Sequence, residues 1–234
     1  MNSFSVIYKP TALFSLKDSN ATNSGAKSLF MPSPYSIKMA ILNQAITLDG
    51  VDFNGKKNQF FQFVRDAKID YKLSGHFCVN NCFIKIIKKK EDKRGKKAKE
   101  EGQIFIPGFQ NTISFREYLH LTDELEIIIS TDSSETADFW KKYLYKINYF
   151  GKRGCFFQFI RYSDSPNASN VKSFDSNNLS EGILQEYDDF SEKMIFENVS
   201  SYSTGRVTRD KKVLLLPISK IGSSKSYSHY KVLD

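Results

Sequence analysis

The chain is poor in the residues that usually announce a chemistry. Its 234 residues hold only three cysteines, three histidines and one tryptophan, and three thiols do not make the disulfide framework that staples small secreted domains. His76, Cys78 and Cys82 fall on one side of a strand-like run, with Cys155 as a conceivable fourth ligand. They lack the tight-turn ligand pair that zinc sites favour, so buried thiols are the simpler reading and no metal is expected. No apolar run approaches the roughly 20 residues that cross a bilayer. The opening Met1-Asn2-Ser3-Phe4-Ser5 shows no basic region followed by an apolar stretch, and we expect a cytoplasmic protein with no membrane contact. Internal repeats, a carboxylate pair, a nucleophile elbow and a phosphate-binding P-loop are all missing, and no cofactor is expected.

Positive charge is what the chain has in excess. A formal charge of +8 and a pI near 9.2 suit a polyanionic partner, which basicity alone leaves open between nucleic acid, an acidic protein and anionic lipid. The distribution narrows this. Lys85, Lys88, Lys89, Lys90, Lys93, Arg94, Lys96, Lys97 and Lys99 lie within one short stretch, opposed only by Glu91 and Asp92. At 40% hydrophobic residues the remainder can bury a sizeable core.

Periodicity orders the chain. Phe4, Val6, Tyr8, Ala12, Phe14 and Leu16 share one parity, as a half-buried strand requires. A polar loop from Lys17 to Ser28 follows, in which Gly25 lets the backbone approach a ligand closely. Ser33 and Pro34 suit the N-cap and first position of a helix. Its apolar positions begin with Ile37, Ala40, Ile41 and Ala45; Asp49-Gly50 ends it, and Phe60, Phe63, Val64 and Ala67 predict another short helix. Strands are expected at Ile69–Leu73 and Phe77–Ile87. With a returning strand at Gln103–Ile106, the latter makes a basic hairpin whose tip lies near Glu91 to Gly102.

Leu125, Ile127 and Ile129 mark a further strand. Ser133 or Ser134 caps a helix carrying Ala137, Trp140, Leu144 and Ile147, with Gly151 as its stop. Cys155–Tyr162 is a last strand. This order fits an α+β ferredoxin-like domain over residues 1–162, with an insertion at about 84–106. Residues 163–189 read as a flexible connection. Residues 190–234 read as a small β-rich part, using Phe196–Val199, Gly205–Val207 and Val213–Ile218, and then a poorly ordered tail from Ser219 that Tyr227 and Tyr230 can dock.

Four pieces in order carry a family resemblance: the first strand with its loop, Pro32-Ser33-Pro34-Tyr35-Ser36-Ile37-Lys38-Met39-Ala40-Ile41-Leu42, Phe115-Arg116-Glu117-Tyr118-Leu119, and Gly151-Lys152-Arg153-Gly154 before an aromatic strand. Together they resemble the Cas-five family of CRISPR RAMP proteins over roughly residues 4 to 160. The resemblance implies a RAMP or RRM-like domain with a thumb, holding the 5′ handle of a guide RNA within a Cascade-like complex. The implied partners are that RNA and Cas-seven-like backbone subunits, with a large effector subunit and target nucleic acid engaged indirectly.

Under this resemblance the candidate RNA contacts are Gly25, Lys27, Lys38, the basic finger (Lys85, Lys88, Lys89, Lys90, Lys93, Arg94), Arg116, Lys152 and Arg153. Each has a plain alternative. The finger can be a solvated hairpin tip or touch a protein neighbour, Lys152 and Arg153 can be helix caps, Arg116 can pair locally, and Lys38 can simply face solvent. Some relatives cut precursor RNA without metal, using Tyr, Lys and His. Tyr118 and His120 are the candidates for that alternative, with His76 and His229 as the remaining imidazoles. A third reading is a basic protein-interaction module.

Overall fold

The computed structural model describes residues 2–21, 27–89, 100–102, 108–177, 180–201 and 208–233. Its first layer is the strand β1 (Asn2–Pro10), flanked by β7 (Leu125–Thr131) and β8 (Phe157–Ser163), with β4 (Lys68–Lys72) outside β7. All three pairings are antiparallel. Two long helical segments complete the layer, α1 (Pro34–Arg65) between β1 and β4 and α2 (Ser134–Leu144) between β7 and β8. This βαββαβ order and the sheet order β4-β7-β1-β8 make a mixed α+β fold consistent with a ferredoxin-like arrangement.

Local chemistry explains the helix ends. Ser33 is the N-cap of α1 and accepts from the backbone N–H of Ser36 at 3.2 Å, with Pro34 in the first turn. Gly50 breaks the helix at φ 43°, ψ −103°, a conformation that favours glycine. Ser133 caps α2 through the N–H of Thr136 at 3.1 Å. That helix ends at Leu144, earlier than the apolar stripe suggests; Ile147 is buried in the following turn, whose N–H bonds the carbonyl of Leu144 at 3.0 Å.

Gly151 is therefore no helix stop. It opens a tight turn in which Phe150 N–H bonds Cys155 C=O and Cys155 N–H bonds Lys152 C=O, both at 3.2 Å. Lys152 and Arg153 sit on that turn, so the helix-capping alternative for them is withdrawn. Gly151 has φ +69°, and a Cβ there would come within 3.1 Å of Leu16 Cδ2.

β1 is buried on both sides rather than half-buried: Ser5 and Ile7 join Val6 and Tyr8 in the interior. Part of the extra cover comes from the segment after β8, where Asn167 donates to Glu126 of β7 from its backbone at 3.2 Å and its side chain at 2.7 Å. Burial pushes the Glu126 carboxyl up, but hydrogen bonds from Asn167 and Ser5 with the charge of Arg161 together hold the group below its ordinary value.

Between β4 and β7 the chain departs into a long antiparallel ribbon, β5 (His76–Lys89) and β6 (Phe109–Leu121), in register from Phe77↔Leu121 to Lys89↔Phe109. The return strand runs over 109–121; the expected Gln103–Ile106 strand and most of the expected tip lie outside the described residues. At the root, Phe77, Val79, Leu119 and Leu121 face the core.

The C-terminal third differs from expectation. Within the supposed connection, β9 (Lys172–Ser173) and β10 (Ile183–Phe190) are strands that form a sheet with β11 (Arg209–Leu216) in the order β10-β11-β9. Phe196–Val199 is not a strand but the short helix α3, whose Phe196 ring packs 5.6 Å from Phe53 and 6.2 Å from Phe61. The expected loose tail forms β12 (Ile218–Ser223) and β13 (Tyr227–Val232). Pro217, which has no N–H to donate, separates β11 from β12. β13 pairs with β5, extending the ribbon to β12-β13-β5-β6, and Tyr230 packs edge-on 5.2 Å from Phe30. Two short strands, β2 (Leu16–Lys17) and β3 (Ser28–Leu29), close the base of the polar loop.

Lys38 ties the parts together. It is 2% exposed, its ammonium 2.8 Å from Asp189 on β10 and 2.9 Å from the carbonyl of Arg65. Burial pushes that ammonium below the usual lysine value, against the opposing pull of Asp189. Lys38 therefore does not emerge from the solvent side of its helix.

Two stability predictions result. Removing Asp189 strands the buried Lys38 ammonium, so Asp189→Leu should cost about 3–5 kcal/mol, read as a lower urea midpoint at unchanged slope; an unchanged midpoint contradicts the assigned pairing. Gly151→Ala should cost about 1–2 kcal/mol for forcing a Cβ into left-handed backbone, with the Leu16 contact adding to it. Gly154→Ala, at φ 102° but with open space around it, should lack that added cost.

Candidate nucleic-acid interface

The fold brings segments distant in sequence around one cavity of about 520 Å³, and of the candidate residues named from the sequence Lys152 alone lines it. One wall comes from the base of the polar loop (Lys17, Ser19), one from the first turns of α1 (Tyr35, Met39), and one from the turn at Gly151 and Lys152. The fourth wall is Asp188 and Arg209, from β10 and β11. The close approach of Gly151 to Leu16 explains how the basic turn reaches the loop.

Polar contacts fix the loop ends without using the lysines. Ser28 Oγ accepts from the N–H of Leu16 at 2.9 Å, and Glu117 Oε2 on β6 accepts from the N–H of Ser28 at 2.8 Å. Gln185 on β10 accepts from Phe30 N–H at 3.0 Å and donates to Ser28 C=O at 3.1 Å. Ser19 Oγ donates to Asp188 at 2.9 Å, while Asn20 meets both Glu186 and Lys211. Among the described residues the ammonium groups of Lys17 and Lys152 have no ion-pair partner, and both residues are exposed.

Arg209 is held in place differently. Its guanidinium carbon lies 4.0 Å from the centroid of the Tyr35 ring, and its Nη1 donates to Asp188 at 2.8 Å. The side chain remains 37% exposed, so the plane is pinned but not covered.

The remaining sequence candidates divide. Lys27 is exposed beside the short strand β3, Arg153 is exposed next to Lys152, and Gly25 lies outside the described residues. Lys38 leaves the candidate set, because its ammonium is buried against Asp189. Lys85, Lys88 and Lys89 are exposed on β5; Lys90, Lys93 and Arg94 lie outside the described residues.

Register places Lys85 and Lys89 on one ribbon face with Phe83, Ile87, Phe109, Ile113 and Phe115, all exposed. The Phe83 and Phe115 rings meet edge-on at 5.0 Å. Arg116, opposite Cys82, occupies the other face. Tyr118 and His120 share that second face, and the register sets His120 and His229 both opposite Cys78, on its two sides. His76 Nδ1 is 3.1 Å from His229 Nε2. Cys155 is buried elsewhere, with its thiol 3.3 Å from the carbonyl of Ser15 and pushed up by burial. Among the described residues no three His, Cys, Asp or Glu side chains converge as metal ligands do.

Sequence reasoning did not single out Lys17, Tyr35 or Arg209. Lys17 was visible as the first residue of the polar loop, and Tyr35 as part of the helix start. Arg209 carried no local signal, since only the tertiary pairing of β10 and β11 brings it beside Tyr35.

No protein-family model matches the chain. It is 26% identical over 215 residues to the CRISPR-associated protein Cas5 of Archaeoglobus fulgidus, covering 88% of each chain. In structure it overlays on a CRISPR protein from Archaeoglobus fulgidus with 11% identity and a TM-score of 0.46, covering 100% of this chain and 93% of the other. It also overlays on a chain of the Type III-B Cmr-beta bound to cognate target RNA and AMPPnP, with 11% identity and a TM-score of 0.37, covering 96% and 86%. Both overlays are too loose to define a relationship by themselves. The sequence likeness to that Cas5 protein runs through most of both chains.

Proposed function

We propose that the chain is a non-catalytic RNA-binding subunit of a Cascade-like CRISPR effector ribonucleoprotein, in which it holds the 5′ handle of the guide RNA and caps a filament of Cas-seven-like backbone subunits. The observation that carries this is the convergence of the loop base, the α1 start and the Gly151-Lys152 turn on one cavity edged by the ammonium groups of Lys17 and Lys152, which have no ion-pair partner among the described residues. Such an edge suits phosphates, and the cavity it borders suits an unpaired nucleotide rather than a duplex. The likeness to a Cas5 protein over 88% of each chain supports the same reading.

In this proposal the β5–β6 ribbon is the thumb. Its exposed face mixes Lys85 and Lys89 with aromatic and aliphatic groups, a combination suited to contact with bases, with phosphates or with a protein neighbour at the guide's end.

A second reading has its own observation. All three histidines of the chain stand on one face of the β12-β13-β5-β6 sheet, with Tyr118 and Arg116 beside them. Two imidazoles can divide base and acid roles in metal-independent cleavage of RNA at a ribose 2′-hydroxyl. The proposal predicts that repeat RNA stays intact with the purified protein in chelator. Cleavage that His120→Ala abolishes without unfolding the chain would favour the endoribonuclease.

For the binding role, guide RNA should co-purify with the chain from its native host. Replacing Lys17, Lys152 and Arg153 with Ala should weaken binding and reduce the slope of log K against log salt by about one per residue that meets a phosphate. An unchanged slope, or a reconstituted complex that holds the 5′ handle equally well without this chain, would overturn the proposal.

A further inference from the structure

We infer that the Arg209 guanidinium is a stacking platform for one unstacked nucleobase, and that the side-chain amides of Asn43 and Gln44 read the edge of that base. The inference builds on the RNA-binding role proposed above and adds a position at which base identity matters.

The argument begins with the arginine. A free guanidinium on the surface of a strand samples many orientations and costs entropy to immobilise. Arg209 is already held at two points: its guanidinium carbon lies 4.0 Å from the centroid of the Tyr35 ring, and its Nη1 donates to Asp188 at 2.8 Å. Tyr35 is itself wedged, its ring edge-on to Phe190 at 5.2 Å. Asp188 is fixed from another direction by Ser19 at 2.9 Å. Tyr35, Asp188 and Arg209 all line the 520 Å³ cavity. The Arg209 side chain is 37% exposed, so its guanidinium retains accessible surface for a flat partner. A nucleobase is such a partner, and RNA-binding proteins stack unpaired bases on arginine planes as well as on aromatic rings.

The polar inventory supplies the rest. Asn43 and Gln44 also line the cavity, and their side-chain amides have no hydrogen-bond partner among the described residues. An amide offers both a donor and an acceptor, and the edge of a base can use both whereas a phosphate uses only the donor. Lys17 and Lys152, lining the same cavity, supply the complementary positive charge for the attached phosphates. A purely anionic ligand would leave the amide acceptors without a role, and the carboxylates of Glu186 and Asp188 on the cavity wall oppose it.

The test uses the full chain with guide RNA in which a fluorescent purine analogue is moved one position at a time through the 5′ segment. One position should be strongly quenched on binding. Arg209→Lys keeps the charge but not the plane, and should abolish that quenching and weaken binding about tenfold, the size of one base stack. The pair Asn43→Ala and Gln44→Ala, at one exposed and one half-buried position, should leave folding intact and flatten the preference for one base at the quenched position, where the wild type should discriminate about tenfold. If the wild type binds guide RNA but no position is quenched, or Arg209→Lys binds as well as wild type, the platform is wrong and the RNA-binding role stands. If the wild type binds no guide RNA, both fall.

Discussion

The buried contact between Lys38 and Asp189 is the joint on which the rest of the molecule depends. It connects the first helix to a strand more than a hundred residues away in sequence, and Asp189 also accepts from Lys212 at 3.0 Å and from the N–H of Phe190 at 2.7 Å. Buried ion pairs contribute little net stability relative to well-packed apolar groups. What this one contributes is register. A strand slipped by a single residue would either bring Phe190 to Lys38 and leave a buried ammonium unpaired, or bring Asp188 there and take that carboxylate from Ser19 and Arg209.

That register has a consequence next door. Adjacent residues of a strand point to opposite sides, so anchoring Asp189 inward toward α1 directs Asp188 the other way, toward the cavity. There it holds Ser19 at one oxygen and Arg209 at the other. One dipeptide thus joins the helix, the loop after the first strand and the C-terminal sheet. The C-terminal third is thereby part of the candidate RNA site, completing a wall that the βαββαβ layer cannot build alone.

Much of the first layer was legible because local chemistry and tertiary packing agree there. Ser33-Pro34 predicts a helix start, and Gly50 a break, from capping and backbone freedom alone. The misreadings have a common cause. Composition rich in Ser, Asn and Asp suggested a connection at 163–189, yet β10 lies there, with Gln185, Glu186, Asp188 and Asp189 bonded to loop, helix and neighbouring strand. A polar strand satisfied by distant partners leaves no periodic apolar signature. The same blindness applied to Lys38, whose burial depends on a carboxylate invisible from its own helix, and to Arg209, whose orientation depends on Tyr35. Lys152 was recognisable, but its setting was not: it lies on a tight turn packed against Leu16 and not on a helix end.

The most direct measurement of the central claim is ultraviolet cross-linking of the native ribonucleoprotein, with the adducts mapped by mass spectrometry. The account predicts adducts between the 5′ segment of the guide RNA and the cavity wall, at Tyr35, Lys17 or Lys152. Guide-RNA adducts confined to the histidine face of the β12-β13-β5-β6 sheet, with none at the cavity, would contradict it.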